Sequence, residues 1–282
     1  MIGIDGVRSD ALQVAVTPAL DGLISNGCFS PDALNDDITM SGPGWSSIHC
    51  GVTSGKHSVI GTSFAGQNYV QYPGWLQRVE ELHPEWSTLS ASQWGPINAQ
   101  IVGSSADAVV NPNSAAQAAQ VVVDALANGN PHAIFVHLDD PDYAGHAFGF
   151  SPFVFPYLDS IEEMDALVGL MLDALESREA YTEENWIVLV TTDHGGIGTS
   201  HGGNSIEERR VFVIASGESV SPEWVSRDTL SFVGAAENCL GAAPLLSFDG
   251  SSRASVPVHA DFLPGANGDF TVECRVRTAQ GA

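Results

Sequence analysis

Three short apolar runs rich in β-branched and aromatic side chains constrain the fold most: Ile134-Phe-Val-His-Leu138, Trp186-Ile-Val-Leu-Val190 and Arg210-Val-Phe-Val-Ile214. Runs of this kind read as strands covered on both faces. Patterns of helical period lie between and before them. Thr17 to Ile24 places Leu20, Leu23 and Ile24 on one face, and Ser114 to Ala127 is rich in alanine and valine. Tyr157 to Leu175 spaces Leu158, Ile161, Met164, Leu167, Val168, Met171, Leu172 and Leu175 helically. Strand–helix alternation predicts an α/β domain with a largely parallel sheet flanked by helices. Ligands of such sheets gather at the carboxyl ends of the strands. Polar residues stand at those ends here. Asp5 closes an opening strand at Ile2-Gly-Ile4, Asp139, Asp140 and Asp142 follow the Ile134 run, and Asp193 and His194 follow the Trp186 run.

Charge narrows the partners. Ten basic residues face 34 acidic ones in 282, a formal net charge of −24, and Lys56 is the only lysine. Such a surface repels phosphate backbones and anionic bilayers, which argues against a nucleic-acid duplex or a membrane as partner. A surface this acidic would also suit a saline habitat. No apolar stretch approaches the ~20 residues of a membrane span. Cys28, Cys50, Cys239 and Cys274 form no C-x-x-C pair, so a cysteine zinc knuckle is not expected. Four cysteines permit three full pairings, and spacing does not choose among them. No basic and apolar leader is visible, and the chain opens directly into a strand.

Three polar stretches carry chemistry. In Asp139-Asp-Pro-Asp-Tyr-Ala-Gly-His146, one helical turn would put Asp142 and His146 on the same side, and a carboxylate and an imidazole suit zinc. Alone, such a pair is usually polar loop. In Thr191-Thr-Asp-His-Gly-Gly-Ile-Gly-Thr-Ser-His-Gly-Gly203, Asp193, His194 and His201 share a glycine-rich loop after a buried strand. In Thr39-Met-Ser-Gly-Pro-Gly-Trp-Ser-Ser-Ile-His-Cys-Gly51, a hydroxyl followed by Gly-Pro-Gly could sit at a helix start, where backbone N–H groups favour an anion. Alone, that serine would be an ordinary cap. Together, Asp5, Asp142, Asp193, His146, His194, His201 and Ser41 suffice for two adjacent metals with a nucleophile between them.

In order and content these motifs resemble the alkaline phosphatase superfamily, nearest its nucleotide pyrophosphatase/phosphodiesterase branch. The matching pieces are Ile4-Asp-Gly-Val-Arg-Ser-Asp10, Thr17-Pro-Ala-Leu20, the Ser41 stretch through Gly51 and His57, Asp139 to His146, Thr192-Asp-His-Gly195 and His201-Gly-Gly-Asn204. The resemblance covers residues 1–243, read as an alkaline-phosphatase-like catalytic domain. It implies two zinc ions, one held by Asp5, Ser41, Asp193 and His194, the other by Asp142, His146 and His201. It also implies Ser41 as nucleophile, a phosphoseryl intermediate, and a small-molecule phosphomonoester or phosphodiester as substrate. Many relatives of this branch carry threonine where this chain has Ser41. Counting back from Gly51 selects Ser41 over Thr39. The branch places an asparagine five residues after the histidine matching His57; here that position is Thr62, a shorter candidate for substrate binding. Sulfatases of the superfamily use C/S-x-P-x-R, and Ser41-Gly-Pro-Gly-Trp45 lacks the arginine.

After residue 243 the pattern changes to short alternating segments with Gly- and Pro-rich turns. Residues 244–282 resemble the opening strands of a laminin-G/concanavalin-A-like module, which implies glycan contact through this segment. A secreted, periplasmic or extracellular location is expected, with the leader not present in this chain. The competing readings are a secreted glycan-binding or adhesion protein with an inactive hydrolase-like body, and a sulfatase or phosphonate hydrolase of the same superfamily.

Overall fold

The computed structural model describes residues 1–36 and 38–220, together with the backbone of a two-residue strand at 223–224. The predicted module at 244–282, and the end of the predicted catalytic domain at 243, lie outside the described residues.

Among the described residues, eight strands form one sheet: β1 (Ile2–Ile4), β2 (Gly27–Leu34), β3 (Thr88–Ser92), β4 (Ala108–Val110), β5 (Ala133–Leu138), β6 (Val188–Thr191), β7 (Arg210–Ser216) and β8 (Glu223–Trp224). Their order is β4-β3-β5-β1-β6-β7-β2-β8. The first five in that order run parallel, and β7 alone pairs antiparallel to both its neighbours, β6 and β2. The sheet is therefore largely parallel, as the alternation predicts, and the Arg210 run is the strand that reverses it.

The helices are α1 (Ser9–Leu12), α2 (Pro18–Ser25), α3 (Ser41–Cys50), α4 (Ser54–His57), α5 (Trp75–Leu82), α6 (Ala115–Asn128), α7 (Asp140–Phe148), α8 (Phe155–Glu176) and α9 (Ile206–Arg209). Apolar residues cover both faces of the sheet. On one side α2, α6 and α8 bury Leu20, Val122, Ile161, Met164 and Val168 against Val136, Leu138 and Phe212. On the other, α3 and α5 bury Trp45, Ile48, Trp75 and Leu76 against Phe135 and Val213. The two-residue period of β5 divides its side chains between these cores. Ile134, Val136 and Leu138 face the first, while Phe135 faces the second. His137 falls on the Phe135 side and meets the Trp45 ring edge-on at 4.8 Å.

Trp45 is wholly buried and lies directly over β1. A Cβ added to Gly3 would sit 2.6 Å from Trp45 Cζ3. This close approach requires glycine. Gly3→Ala should destabilise the fold by about 1–3 kcal/mol through overpacking, read as a lower urea midpoint with an unchanged slope.

Cys28 is disulfide-bonded and Cys50 is a buried free thiol. Among the described residues no helix is long and apolar enough to cross a membrane.

Candidate active site

Because β1, β5 and β6 are parallel neighbours, their carboxyl ends lie on one edge. That placement delivers Asp5, the Asp139–Asp142 stretch and Asp193–His194 to a common cleft. Asp5 is 1% exposed and follows β1 directly. Its Oδ2 accepts hydrogen bonds from Trp45 Nε1 at 2.8 Å and from His137 Nε2 at 3.0 Å. Its Oδ1 is buried with no hydrogen-bond partner and lies 3.6 Å from His194 Nε2. Asp193 is equally buried. Its Oδ1 accepts the Gly6 N–H at 3.4 Å, and its Oδ2 is unpartnered, 3.3 Å from His194 Nε2. The His194 Nδ1–H donates to the Gly195 carbonyl at 2.9 Å, so its Nε2 lone pair faces both carboxylates.

Ser41 opens α3, and its Oγ lies 3.4 Å from the same His194 Nε2. The helix start is pressed against Asp193: a Cβ on Gly44 would be 2.9 Å from Asp193 Cβ. The glycines around Pro43 thus let the hydroxyl reach the cleft. Pro43 has no N–H, and the Gly44 N–H already donates to the Met40 carbonyl at 2.9 Å. The first turn therefore presents the N–H groups of Ser41 and Gly42 beside the hydroxyl. Thr39 is differently committed. Its Oγ1 donates to the Gly203 carbonyl at 2.7 Å and accepts the Gly202 N–H at 3.0 Å.

Asp142 and His146 share one face of α7, as their spacing predicts. Asp142 Oδ2 is 3.3 Å from His146 Nε2, and Asp142 Oδ1 is buried, unpartnered and 3.5 Å from His201 Nε2. The His146 Nδ1–H donates to the Thr199 carbonyl and the His201 Nδ1–H to the Thr39 carbonyl, at 2.9 and 2.8 Å. Their Nε2 atoms face each other at 3.0 Å, a contact that a shared proton or a bound cation would satisfy.

The structure thus brings Asp5, Ser41, Asp142, His146, Asp193, His194 and His201 into one cleft. Ligand atoms of Asp5, Asp193 and His194 lie within 4.8 Å of one another, as do those of Asp142, His194 and His201. His194 stands in both groups, whereas the sequence reading gave it to one. Its ring stacks on that of His201 at 3.9 Å. Thr62 is exposed beside the start of α3, its Cα 3.3 Å from where a Cβ on Gly42 would lie.

Three buried carboxylate oxygens without partners, aimed at imidazole lone pairs, are a donor set that fits cations. The electrostatics agree. Burial, reinforced by Asp193, holds the Asp5 carboxyl well above the usual range. Burial and then Asp142 do the same to Asp193. Asp142 is pushed up to about 6 by burial and by Asp5, and His201 down to about 3 by burial and by His194. A nearby positive charge would lower the three raised carboxyls, and the neutral His201 that burial favours is the form that binds a cation.

Other polar residues hold the frame. Arg8 pairs with Asp10 at 2.6 Å and donates to the Phe150 carbonyl. His57 is buried and bonds the Ser47 hydroxyl at 2.9 Å. Two residues outside the expected site, His137 and Trp45, both reach Asp5. The signal available for His137 was its place in a buried strand, five residues before Asp142. Asn35, whose Nδ2 donates to the Asp193 carbonyl, had no signal.

The profile of the family described as Type I phosphodiesterase / nucleotide pyrophosphatase matches residues 1–117 and 78–220. Two curated relatives, the bis(5'-adenosyl)-triphosphatase ENPP4 of Pongo abelii and that of Bos taurus, are each 25% identical over 218 and 217 residues. Each alignment covers 69% of this chain and 46% of the relative, so the chain spans about half the length of these proteins. Among solved structures, murine ectonucleotide pyrophosphatase/phosphodiesterase 5 aligns with TM-score 0.55 at 18% identity, over 69% of this chain and 56% of that one. BT1596, a 2-O GAG sulfatase, aligns with TM-score 0.65 at 13% identity, over 81% and 66%. At these identities the structural likeness speaks to the fold alone.

Proposed function

The chain belongs to the type I phosphodiesterase / nucleotide pyrophosphatase family, and from that premise we propose that it is a metal-dependent hydrolase of small-molecule phosphate esters. One observation carries this reading: three unpartnered buried carboxylate oxygens and the imidazoles of His146, His194 and His201 converge in front of a serine hydroxyl at a helix start. Asp5, Ser41, Asp193 and His194 would hold one zinc ion, and Asp142, His146 and His201 the other, with His194 close to both. When bound, such ions neutralise charge on the transferred phosphoryl group and acidify hydroxyl and water.

The chain's own residues supply the rest. Ser41 gives up its proton to solvent, its Oγ attacks phosphorus, and the bond to the leaving oxygen breaks, that oxygen taking a proton from solvent. Water then attacks the phosphoserine, freeing Ser41 and releasing phosphate from a monoester or a phosphomonoester from a diester. The N–H groups of Ser41 and Gly42 face the anionic substrate. Thr62 offers a hydroxyl donor at the rim of this position. His146, with 44% of its side chain exposed, marks the open side of the cleft, where a leaving group has room. The family description and the ENPP relatives favour nucleotide-type diesters and anhydrides over simple monoesters.

The disulfide at Cys28 supports an oxidising, secreted or periplasmic setting. Buried Trp45, where sulfatases of the superfamily carry arginine, speaks against the sulfatase reading. With Zn2+ supplied, bis-p-nitrophenyl phosphate and p-nitrophenyl phosphate should be hydrolysed and p-nitrophenyl sulfate should be the poorest substrate of the three. Fastest turnover of the sulfate would favour the sulfatase reading instead. No turnover of any, in a chain that binds no zinc, would favour the inactive adhesion body.

A further inference from the structure

We propose that His137, with Trp45, is a positioning pair that leaves Asp5 one free oxygen and so makes the Asp5–Asp193–His194 group selective for a small, tetrahedral cation of the zinc type. The inference rests on the metal-dependent reading above and concerns how one of its two sites chooses an ion.

The argument begins with a proton. The backbone N–H of Trp94 donates to His137 Nδ1 at 3.3 Å, so that nitrogen is the acceptor and Nε2 carries the hydrogen. Nε2–H therefore donates to Asp5 Oδ2, the same oxygen that receives the Trp45 indole N–H. Asp5, His137 and Asp139 also lie within 4.8 Å of one another, which would make a third cation group by distance alone. The hydrogen-bonding pattern assigns His137 otherwise, since neither of its nitrogens retains a lone pair for an ion.

With Oδ2 capped twice, Asp5 presents only Oδ1, which is buried and unpartnered. Asp193 is similarly reduced, its Oδ1 taken by the Gly6 N–H and its Oδ2 unpartnered. Two single oxygens, the His194 nitrogen and the Ser41 hydroxyl make four donors, a tetrahedral zinc complement. Calcium takes 6–8 oxygens and often grips carboxylates by both. The other group has no such cap. Both Asp142 oxygens face imidazole nitrogens, at 3.3 and 3.5 Å.

His137 also packs on Trp45, so the test separates donor from filler. His137→Leu keeps bulk and loses the donor, while His137→Gln keeps an N–H donor and loses the ring. Zn2+ affinity is measured by chelator competition on the full chain, alongside Ca2+ competition. His137→Leu should weaken Zn2+ binding 10–100-fold at one of two sites, leave the other at the parent value and narrow the Zn2+/Ca2+ preference. His137→Gln should restore most of that loss. Parent-like Zn2+ affinity in His137→Leu, or a loss in His137→Gln as large as in His137→Leu, overturns the proposal. If His137→Leu does not fold, Trp45→Phe removes the other donor and should weaken the same site alone; an unchanged site there overturns it too. A parent chain that binds no zinc defeats the metal-dependent reading itself. A parent that binds two, with His137→Leu unchanged, defeats only this inference.

Discussion

Ser41→Ala should lower kcat against bis-p-nitrophenyl phosphate by at least about a thousandfold while the circular dichroism spectrum and unfolding midpoint stay near parental values. The size of the effect follows from the hydroxyl's role as the atom that bonds to phosphorus; a merely capping serine would cost far less. The fold should tolerate the change because Ser41 is only partly buried and makes no capping bond from its side chain; its Oγ contact is with His194. Thr39 is poorly placed to substitute, since its hydroxyl is held between Gly202 and Gly203. Parental kcat in Ser41→Ala would remove Ser41 from the chemistry, and with it the phosphoseryl route.

The second large effect is an inversion of stability. In metal-free protein, Asp193→Asn should be more stable than the parent at pH 8, by several degrees in Tm at about 2–4 °C per kcal/mol. The Asp193 carboxyl is held well above its usual range by burial and by Asp142. A carboxyl with a raised folded pKa destabilises the fold fully above that pKa and not at all below the unfolded value near 3.8. The advantage of asparagine should therefore vanish as pH falls toward 4. Its amide oxygen can still accept the Gly6 N–H, so little else changes. Saturating Zn2+ should reverse the order, because the parent then gains binding energy that the variant has lost. Thermal scans of both chains at pH 4 and 8, with and without Zn2+, test this; a metal-free parent as stable as Asp193→Asn at pH 8 counts against it.

Legibility in the sequence followed burial chemistry. The Ile134 and Arg210 runs and the helices around Thr17, Ser114 and Tyr157 are found within a residue or two of their predicted places. Their apolar periodicity is undiluted, because each is covered by apolar neighbours. The strand at Thr88-Leu-Ser-Ala-Ser92 gave no such signal, though all five residues are buried. Its hydroxyls are satisfied locally, Ser90 by Asn98 and Ser92 by the Trp94 carbonyl, so a polar strand can be buried cheaply. Gly27–Leu34 hides a strand behind a proline and a shift of register between Ser30 and Ala33. Among the candidate ligands, glycine-rich turns and fixed spacings made the set readable. The groups that orient them were not readable, because a histidine in an apolar strand and a tryptophan in a helix look like filler until the strands are placed side by side.

Trp45 ties two properties together that protein engineers usually adjust separately. The same indole fills the space over Gly3, packs on Phe135 and donates to the carboxylate that would grip an ion. Laboratory evolution for heat tolerance would find this position frozen, since any replacement that repacked the interior would also loosen the grip on the metal. Libraries built on this scaffold should spare it and vary the rim around Thr62, where new substrates can be sought without unsettling what lies beneath.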